Sequence, residues 1–374
     1  MTARRGHIVL AAGGTGGHLF PAQALATILR ARGYSTALVT DARGQALMPG
    51  DGDLQTHVIA AESPSRGGVL GPVKSMLALR RGRAAAKRLY RRQWPRAVVG
   101  FGGYAALPAM LAAVSLGIPV IMHEQNAVLG RVNRLAGRRA AAIAVSYADT
   151  RFLPSKWRAK AALTGNPVRG QIAALRERPY PHLSRDGVMR LLVIGGSQGA
   201  RILSDVVPEA VKLLPPAMQR RLQIAQQCRD EDVERVRQAY AALNIPAEIM
   251  TFIDDMPAQL AIAHLVISRA GASTLAELTA AGRPSILVPL PSAMDDHQNA
   301  NAEILVAARA AIRMPQADFT AVNLAKQLQR LAVQPEELAQ MARGAHGLGK
   351  PKAAAVLADL VEHAIAAPGK RRAA

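Results

Sequence analysis

The chain has 374 residues, half of them hydrophobic, enough to bury a large core and to build two domains. Its single cysteine, Cys228, excludes an internal disulfide and a cysteine zinc site, and the nine histidines are scattered without metal-ligand spacing, so no metal site is expected. The formal charge of +21 asks for an anionic partner.

In chain order, residues 7–12 (HIVLAA) read as a buried strand, too short for a signal-peptide core. The loop 13–18 (GGTGGH) follows, then a helix over 21–32 ended by Gly33. Strands are expected at 37–40 and, more weakly, at 54–60. Asp51-Gly52-Asp53, beside Pro49-Gly50, reads as a turn rather than a metal-binding pair. No acidic residue lies between Glu62 and Glu124, whereas Lys74, Arg80, Arg81, Arg83, Lys87, Arg88, Arg91, Arg92 and Arg96 crowd the helix predicted over 73–92. Met76, Leu79, Ala86, Leu89 and Tyr90 fall near one face of that helix, interrupted by Arg83, and Trp94 follows it. An anionic membrane surface suits such a helix. Nucleic acid is not expected, because no nucleic-acid module is present and aromatics make up 3% of the chain.

Residues 97–122 are uncharged for 26 residues, long enough to span a bilayer. Gly100, Gly102, Gly103, Pro108, Gly117 and Pro119 divide the run into strand, loop, helix and strand, so a buried α/β segment is expected instead. The strand 119–123 runs into Glu124-Gln125-Asn126, another strand lies at 141–145, and Gly165-Asn166-Pro167 resembles a hinge.

The pattern then restarts. A strand at 190–194 leads into the loop 195–200 (GGSQGA), and further strands at 222–226, 247–252, 264–267 and 285–289 alternate with helices. The turn 269–271 opens a helix over 273–281, where free N–H groups and the helix dipole suit a phosphate. Glu277 and Gln298 lie on that side of the sheet. Thr274 to Glu277 also fits a capping box, in which Glu277 only satisfies a backbone N–H. A linker at 347–351 precedes a last helix at 353–366. The chain is thus two doubly wound α/β units in tandem, with ligands expected at the carboxyl ends of the strands. A dinucleotide site is the rival. Its glycine pattern fails, since Leu19 stands where the third glycine belongs, yet Asp41 ends the second strand as a ribose-binding acid would. No P-loop is present.

The motifs GGTGGH at 13–18, GFGGYAALP at 100–108, HEQNAVLG at 123–130, TGNPVR at 164–169, GGSQGA at 195–200, FIDDM at 252–256 and SRAGASTLAEL from Ser268, with DHQNANA ending at Ala302, occur in this order. Together they closely resemble the MurG family. Its members transfer N-acetylglucosamine from UDP-N-acetylglucosamine to undecaprenyl-diphospho-N-acetylmuramoyl-pentapeptide, turning lipid I into lipid II. The resemblance implies the GT-B glycosyltransferase fold, two Rossmann-like domains facing across a cleft. An acceptor and membrane-facing domain would span 1–167 and 350–374, and a donor domain 168–349.

It places Glu277 on the ribose of UDP, and Ala272, Ser273, Thr274, Leu275 and Ala276 around ribose and diphosphate. It places Ile253 at uracil, Ser197 and Arg169 at the diphosphate, and Asn126 and Gln298 at the sugar. Thr15, Gly16 and Gly17 would close over the reacting centre, and Gly14, Gly102, Gly103 and Tyr104 would hold the lipid diphosphate. The loop 291–296 departs slightly from the family pattern. No cofactor or metal is implied, and the location implied is peripheral, on the cytoplasmic side of the membrane. For the inverting displacement His18 is the first candidate base, since an unperturbed imidazole titrates near pH ~6.5, and Glu124 the reserve.

Overall fold

The structure, a computed structural model, describes residues 5–47, 54–61, 71–196 and 199–366. It divides into two compact units, Met1–Arg169 with Lys352–Ala374, and Gly170–Pro351. Arg169 therefore ends the first unit. The Asp51–Asp53 triplet lies outside the described residues.

In unit 1 the strands are β1 (His7–Ala11), β2 (Ser35–Thr40), β3 (Gln55–Val58), β4 (Ala97–Gly100), β5 (Val120–Glu124), β6 (Ala142–Val145) and β7 (Ala161–Leu163). They form one sheet in the order β3-β2-β1-β4-β5-β6-β7, with every pairing parallel. Both faces of the central strands are covered, which is why β1, β4 and β6 are runs of apolar residues rather than alternations, while the edge strand β3 is polar. Ile8, Leu10 and Ala12 point into a cluster with Leu19, Leu25 and Leu29 of the helix Gly16–Ala31. Val9 and Ala11 point to the other face, against Ala86, Tyr90 and Met110.

The last helix, Ala353–Ala366, returns to the first of these faces, where Leu357, Ala358 and Val361 are fully buried. Burying Leu357 and Val361 contributes about 3–6 kcal/mol. Arg32 adds ion pairs to Asp359 at 2.7 Å and Glu362 at 2.8 Å, and Arg5 one to Glu362 at 3.1 Å.

Unit 2 repeats the plan with β8 (Met189–Ile194), β9 (Leu222–Gln227), β10 (Ala247–Met250), β11 (Leu265–Ser268), β12 (Ser285–Leu287) and β13 (Ala311–Arg313). The order is β10-β9-β8-β11-β12-β13, again parallel throughout. Among the described residues no helix is long and apolar enough to cross a membrane.

Three expectations are corrected. The first helix begins at Gly16 rather than at Pro21, so half of the supposed loop is its first turn. The helix after β11 begins at Ala272 with Gly271 as its N-cap, which places Thr274 inside the helix and rules out a capping box starting there. The basic helix spans Gly71–Gln93, and its apolar stripe, Met76 excepted, faces inward. Ala86 and Tyr90 are fully buried, and Leu79 and Leu89 pack against the same core. Among the described residues the large apolar groups it leaves in solvent are Met76 (54% exposed) and Leu77 (46%), with Trp94 (61%) just beyond its end.

Candidate active site

Each sheet has a switch point where successive crossovers leave in opposite directions, and there the loops diverge and backbone N–H groups are presented. In unit 1 this point lies between β1 and β4. The Gly13 N–H donates to the Gly102 carbonyl at 3.0 Å, which joins the two loops. Gly102 and Gly103 have φ of 82° and 77°, values that favour glycine. Gly14 has no room for a side chain, because a Cβ would stand 2.0 Å from Asp41 Oδ1.

Asp41 itself accepts from the Gly44 N–H at 3.0 Å and pairs with Arg43 at 2.6 Å. Its carboxylate fixes the short helix Ala42–Leu47 instead of offering itself to a ribose, which removes the support for a dinucleotide site.

His18 sits in the first turn of the helix Gly16–Ala31, whose N-cap Thr15 makes no side-chain cap. Its ring lies over the second glycine loop: a Cβ on Gly102 would be 3.4 Å from the ring, and one on Gly103 3.3 Å. Tyr104 leans on the core beneath. The structure thus gathers Gly13, Gly14, His18, Gly102 and Gly103 at one point.

Glu124 ends β5 and is 1% exposed. Its Oε1 accepts from the Asn126 backbone N–H at 3.0 Å and side-chain amide at 3.2 Å. Its Oε2 accepts from the Gly130 N–H and from Asn133 Nδ2, both at 2.8 Å. Four N–H donors on one carboxylate lock the loop that carries Asn126. Asn133, which also donates to the His123 carbonyl at 3.2 Å, was not foreseen. Its only signal in the sequence is an amide among the apolar residues of the helix Arg131–Ala136. Next to Glu124, His123 is fully buried, donates through Nε2 to the Gly165 carbonyl at 3.1 Å, and has its pKa pushed down to about 4 by burial. The Arg169 guanidinium lies 5.2 Å from the centre of the Phe20 ring.

In unit 2 the switch point falls between β8 and β11. After β8 the chain turns through Gly196 (φ 86°) and Gly199 (φ 65°), and Gly196 accepts from Gln227 Nε2 at 3.1 Å. Ser197 lies outside the described residues. After β11 the turn Arg269-Ala270-Gly271 is held by side chains on every side. Gln298 Oε1 accepts from the N–H of Ala270 at 3.2 Å and of Leu290 at 2.9 Å. Asn301 Nδ2 donates to the Ala270 carbonyl at 3.1 Å. Arg269 donates to the Val288 carbonyl at 3.1 Å and to Gln316 Oε1 at 2.7 Å.

The helix Ala272–Ala280 leaves this braced turn with neither an acidic residue in its first turn nor a side-chain cap, so its positive end is not offset locally. Ser273, Thr274 and Ala276 are on that helix, and Leu275 anchors it in the core at 0% exposure. Glu277 lies one turn beyond the start. Ile253 is 4% exposed, beside exposed Phe252. Among the described residues no group of three or more His, Cys, Asp or Glu is placed to hold a metal ion.

Comparison with known proteins agrees with this architecture. Residues 8–145 match the glycosyltransferase family 28 N-terminal domain and residues 190–357 the glycosyltransferase family 28 C-terminal domain. The chain is 53% identical over 367 residues to a UDP-N-acetylglucosamine–N-acetylmuramyl-(pentapeptide) pyrophosphoryl-undecaprenol N-acetylglucosamine transferase of Erythrobacter litoralis, covering 97% of this chain and 91% of the relative. It is 53% identical over 369 residues to the protein of the same name in Novosphingobium aromaticivorans, covering 98% and 95%. The crystal structure of Acinetobacter baumannii MurG aligns over 96% of this chain and 99% of its own, with a TM-score of 0.75 and 32% identity. The chain belongs to glycosyltransferase family 28 and, within it, to the MurG family.

Proposed function

We propose that unit 2 binds UDP-N-acetylglucosamine and unit 1 the lipid-linked acceptor, with His18 taking the proton of the attacking hydroxyl. The reaction is transfer of N-acetylglucosamine to the 4-hydroxyl of undecaprenyl-diphospho-N-acetylmuramoyl-pentapeptide, lipid I to lipid II. The observation that carries the assignment of the donor is the uncapped helix start at Ala272, braced by Gln298, Asn301 and Arg269.

The diphosphate of the donor is received by the N–H groups of Ala272, Ser273 and Thr274, with Ser197 and Arg169 as further partners, and the ribose hydroxyls by Glu277. Ile253 contacts uracil through its backbone. Gln298 spends its oxygen on the turn, which leaves its Nε2 as the donor toward the sugar, alongside Asn126. In the displacement the acceptor oxygen forms a bond to the anomeric carbon while the bond to UDP breaks. The hydroxyl proton passes to the His18 imidazole, and the negative charge growing on UDP is stabilised by the helix start and Arg169. The acceptor's own diphosphate lies against Gly14, Gly102, Gly103 and Tyr104, with Thr15, Gly16 and Gly17 closing over the reacting centre.

Glu124 keeps a different task in this reading. Both its oxygens are occupied by N–H donors, so it positions Asn126 and takes no proton. The helix Gly71–Gln93 presents Lys74, Arg80, Arg81, Arg83, Arg88, Arg91 and Arg92 to solvent, with Met76 and Leu77 near its start and Trp94 after its end. We assign this face to an anionic membrane surface on the cytoplasmic side, where the enzyme would lie peripherally. The test of the whole reading is UDP-N-acetylglucosamine turnover with and without a short-chain lipid I analogue. Turnover that needs the analogue supports it, and equal hydrolysis without the analogue sinks it.

A further inference from the structure

A second cavity in unit 2 lies at the opposite end of the sheet from the Ala272 helix start. Its floor is Arg283, two residues before β12, whereas the Ala272 helix starts four residues past the end of β11. The length of a four-residue strand, about 13 Å, separates the two ends, so a ligand of one does not reach the other. The cavity measures ≈ 750 Å³, inside the range of small-molecule sites, and runs between the helix Pro335–Leu348 and the segment 176–183, which leaves a 3-10 turn at Glu177.

Its charges are unbalanced. Arg283 is 1% exposed, and among the described residues its guanidinium donates only to carbonyls: Leu260 at 2.5 Å, Ala261 at 3.2 Å and Gly282 at 3.4 Å. The Tyr180 ring lies 5.8 Å away, and the Tyr180 hydroxyl is already engaged with the His264 carbonyl at 2.7 Å. Burial lowers the Arg283 pKa to about 10, so the group stays cationic at neutral pH. Isolated buried charge is costly, and carbonyl dipoles offset only part of it. Arg178 and Arg343 stand on the two walls, exposed, and among the described residues neither has an ion-pair partner. Arg176 closes one end by donating to the His346 carbonyl at 2.8 Å. Between these cations the walls are apolar, formed by Pro179, Pro181, Ala339 and Ala342.

We propose that this cavity binds a small phosphate ester, its phosphate between Arg178 and Arg343 above Arg283 and its organic part on the proline and alanine walls. Two guanidinium forks match the several oxygens of a phosphate better than a lone carboxylate does. Glu177 and Glu336 at the rim disfavour extended polyanions. Two sources share this chemistry, a soluble sugar or glycerol phosphate and the headgroup of an anionic phospholipid.

The test is calorimetry on the full chain saturated with UDP, so that the donor's phosphate site is filled. The probes are glycerol 3-phosphate and dihexanoylphosphatidylglycerol below its micelle concentration. Binding of either by the wild type, weakened tenfold or more in R178A/R343A with UDP affinity unchanged, is the expected result. The probe that binds tells which source the site serves. R178K/R343K, which keeps the charge and loses the fork, should lie between the two. No heat with either probe, or equal affinity in wild type and R178A/R343A, would overturn the proposal.

Discussion

Gly13 and Gly103 meet backbone to backbone: a Cβ on Gly13 would stand 2.9 Å from the Gly103 Cα, and one on Gly103 2.7 Å from the Gly13 Cα. Gly103→Ala must therefore separate the two loops and also strain a backbone at φ 77°. We expect the acceptor KM to rise at least tenfold while UDP affinity, read by calorimetry, stays put. Normal acceptor kinetics in this variant would show that the contact of the loops is not needed.

Glu277→Ala should raise the KM for UDP-N-acetylglucosamine at least tenfold, about 1.4 kcal/mol of donor binding. The Tm should barely move, since the N-cap position is Gly271 rather than Thr274 and no capping box includes Glu277. A loss of about 1 kcal/mol in stability with normal donor kinetics would instead assign Glu277 a capping role.

His18 and Glu124 separate by kind of defect. His18→Ala should lower kcat roughly 10²–10⁴-fold with donor affinity unchanged, the range of a positioned base. Glu124→Gln turns an amide NH₂ against N–H donors and should cost about 1–3 kcal/mol in urea unfolding. If Glu124→Gln unfolds like the wild type yet loses turnover as His18→Ala is expected to, the base is Glu124.

Replacing Arg88, Arg91 and Arg92 by Glu should release the protein from anionic vesicles, because each basic group near such a surface is worth about 1 kcal/mol. All three are exposed, so turnover of a soluble acceptor analogue should survive. Equal vesicle sedimentation of mutant and wild type would remove this helix as the membrane contact.

Acid should destabilise unit 1 through its histidines. His7, His57 and His123 all have pKa values lowered chiefly by burial, His123 to about 4. A folded pKa below that of the unfolded chain means the unfolded state binds more protons between the two. Stability is then complete above pH ~6.5 and is lost as pH falls toward about 4, with His123 alone accounting for about 3 kcal/mol. His123→Gln, measured by urea unfolding at pH 7 and pH 5, should flatten this slope; an unchanged slope would refute the assignment.

The central strands β1, β4, β6, β8 and β11 were legible because each is an apolar run bounded by glycine, proline or charge, whereas β3 (QTHV) at an edge was only weakly so. β7 and β13, three residues each, carry too little pattern to be seen. The stripe Met76, Leu79, Ala86, Leu89, Tyr90 was legible as one face, but periodicity does not say whether core or lipid covers it; the core covers Tyr90 at 0% exposure and leaves Met76 at 54%. Gly16 to His18 read as loop because the paired glycines suggest flexibility, whereas here they open a helix. The bracing of Ala270 by Gln298 and Asn301 joins residues 28 and 31 positions apart, beyond the reach of local pattern.

The return of the helix Ala353–Ala366 to unit 1 sets the order in which the nascent protein can finish. The strands of unit 1 leave the ribosome first, yet the surface that Leu357 and Val361 cover stays open until the intervening Gly170–Pro351 has been made. For these roughly 180 residues that is about 10–40 s at typical synthesis rates. Unit 2, contiguous in the chain, needs no such wait. A chain released after residue 351 would contain all of the second unit and a first unit still open along the face of Leu19, Leu25 and Leu29.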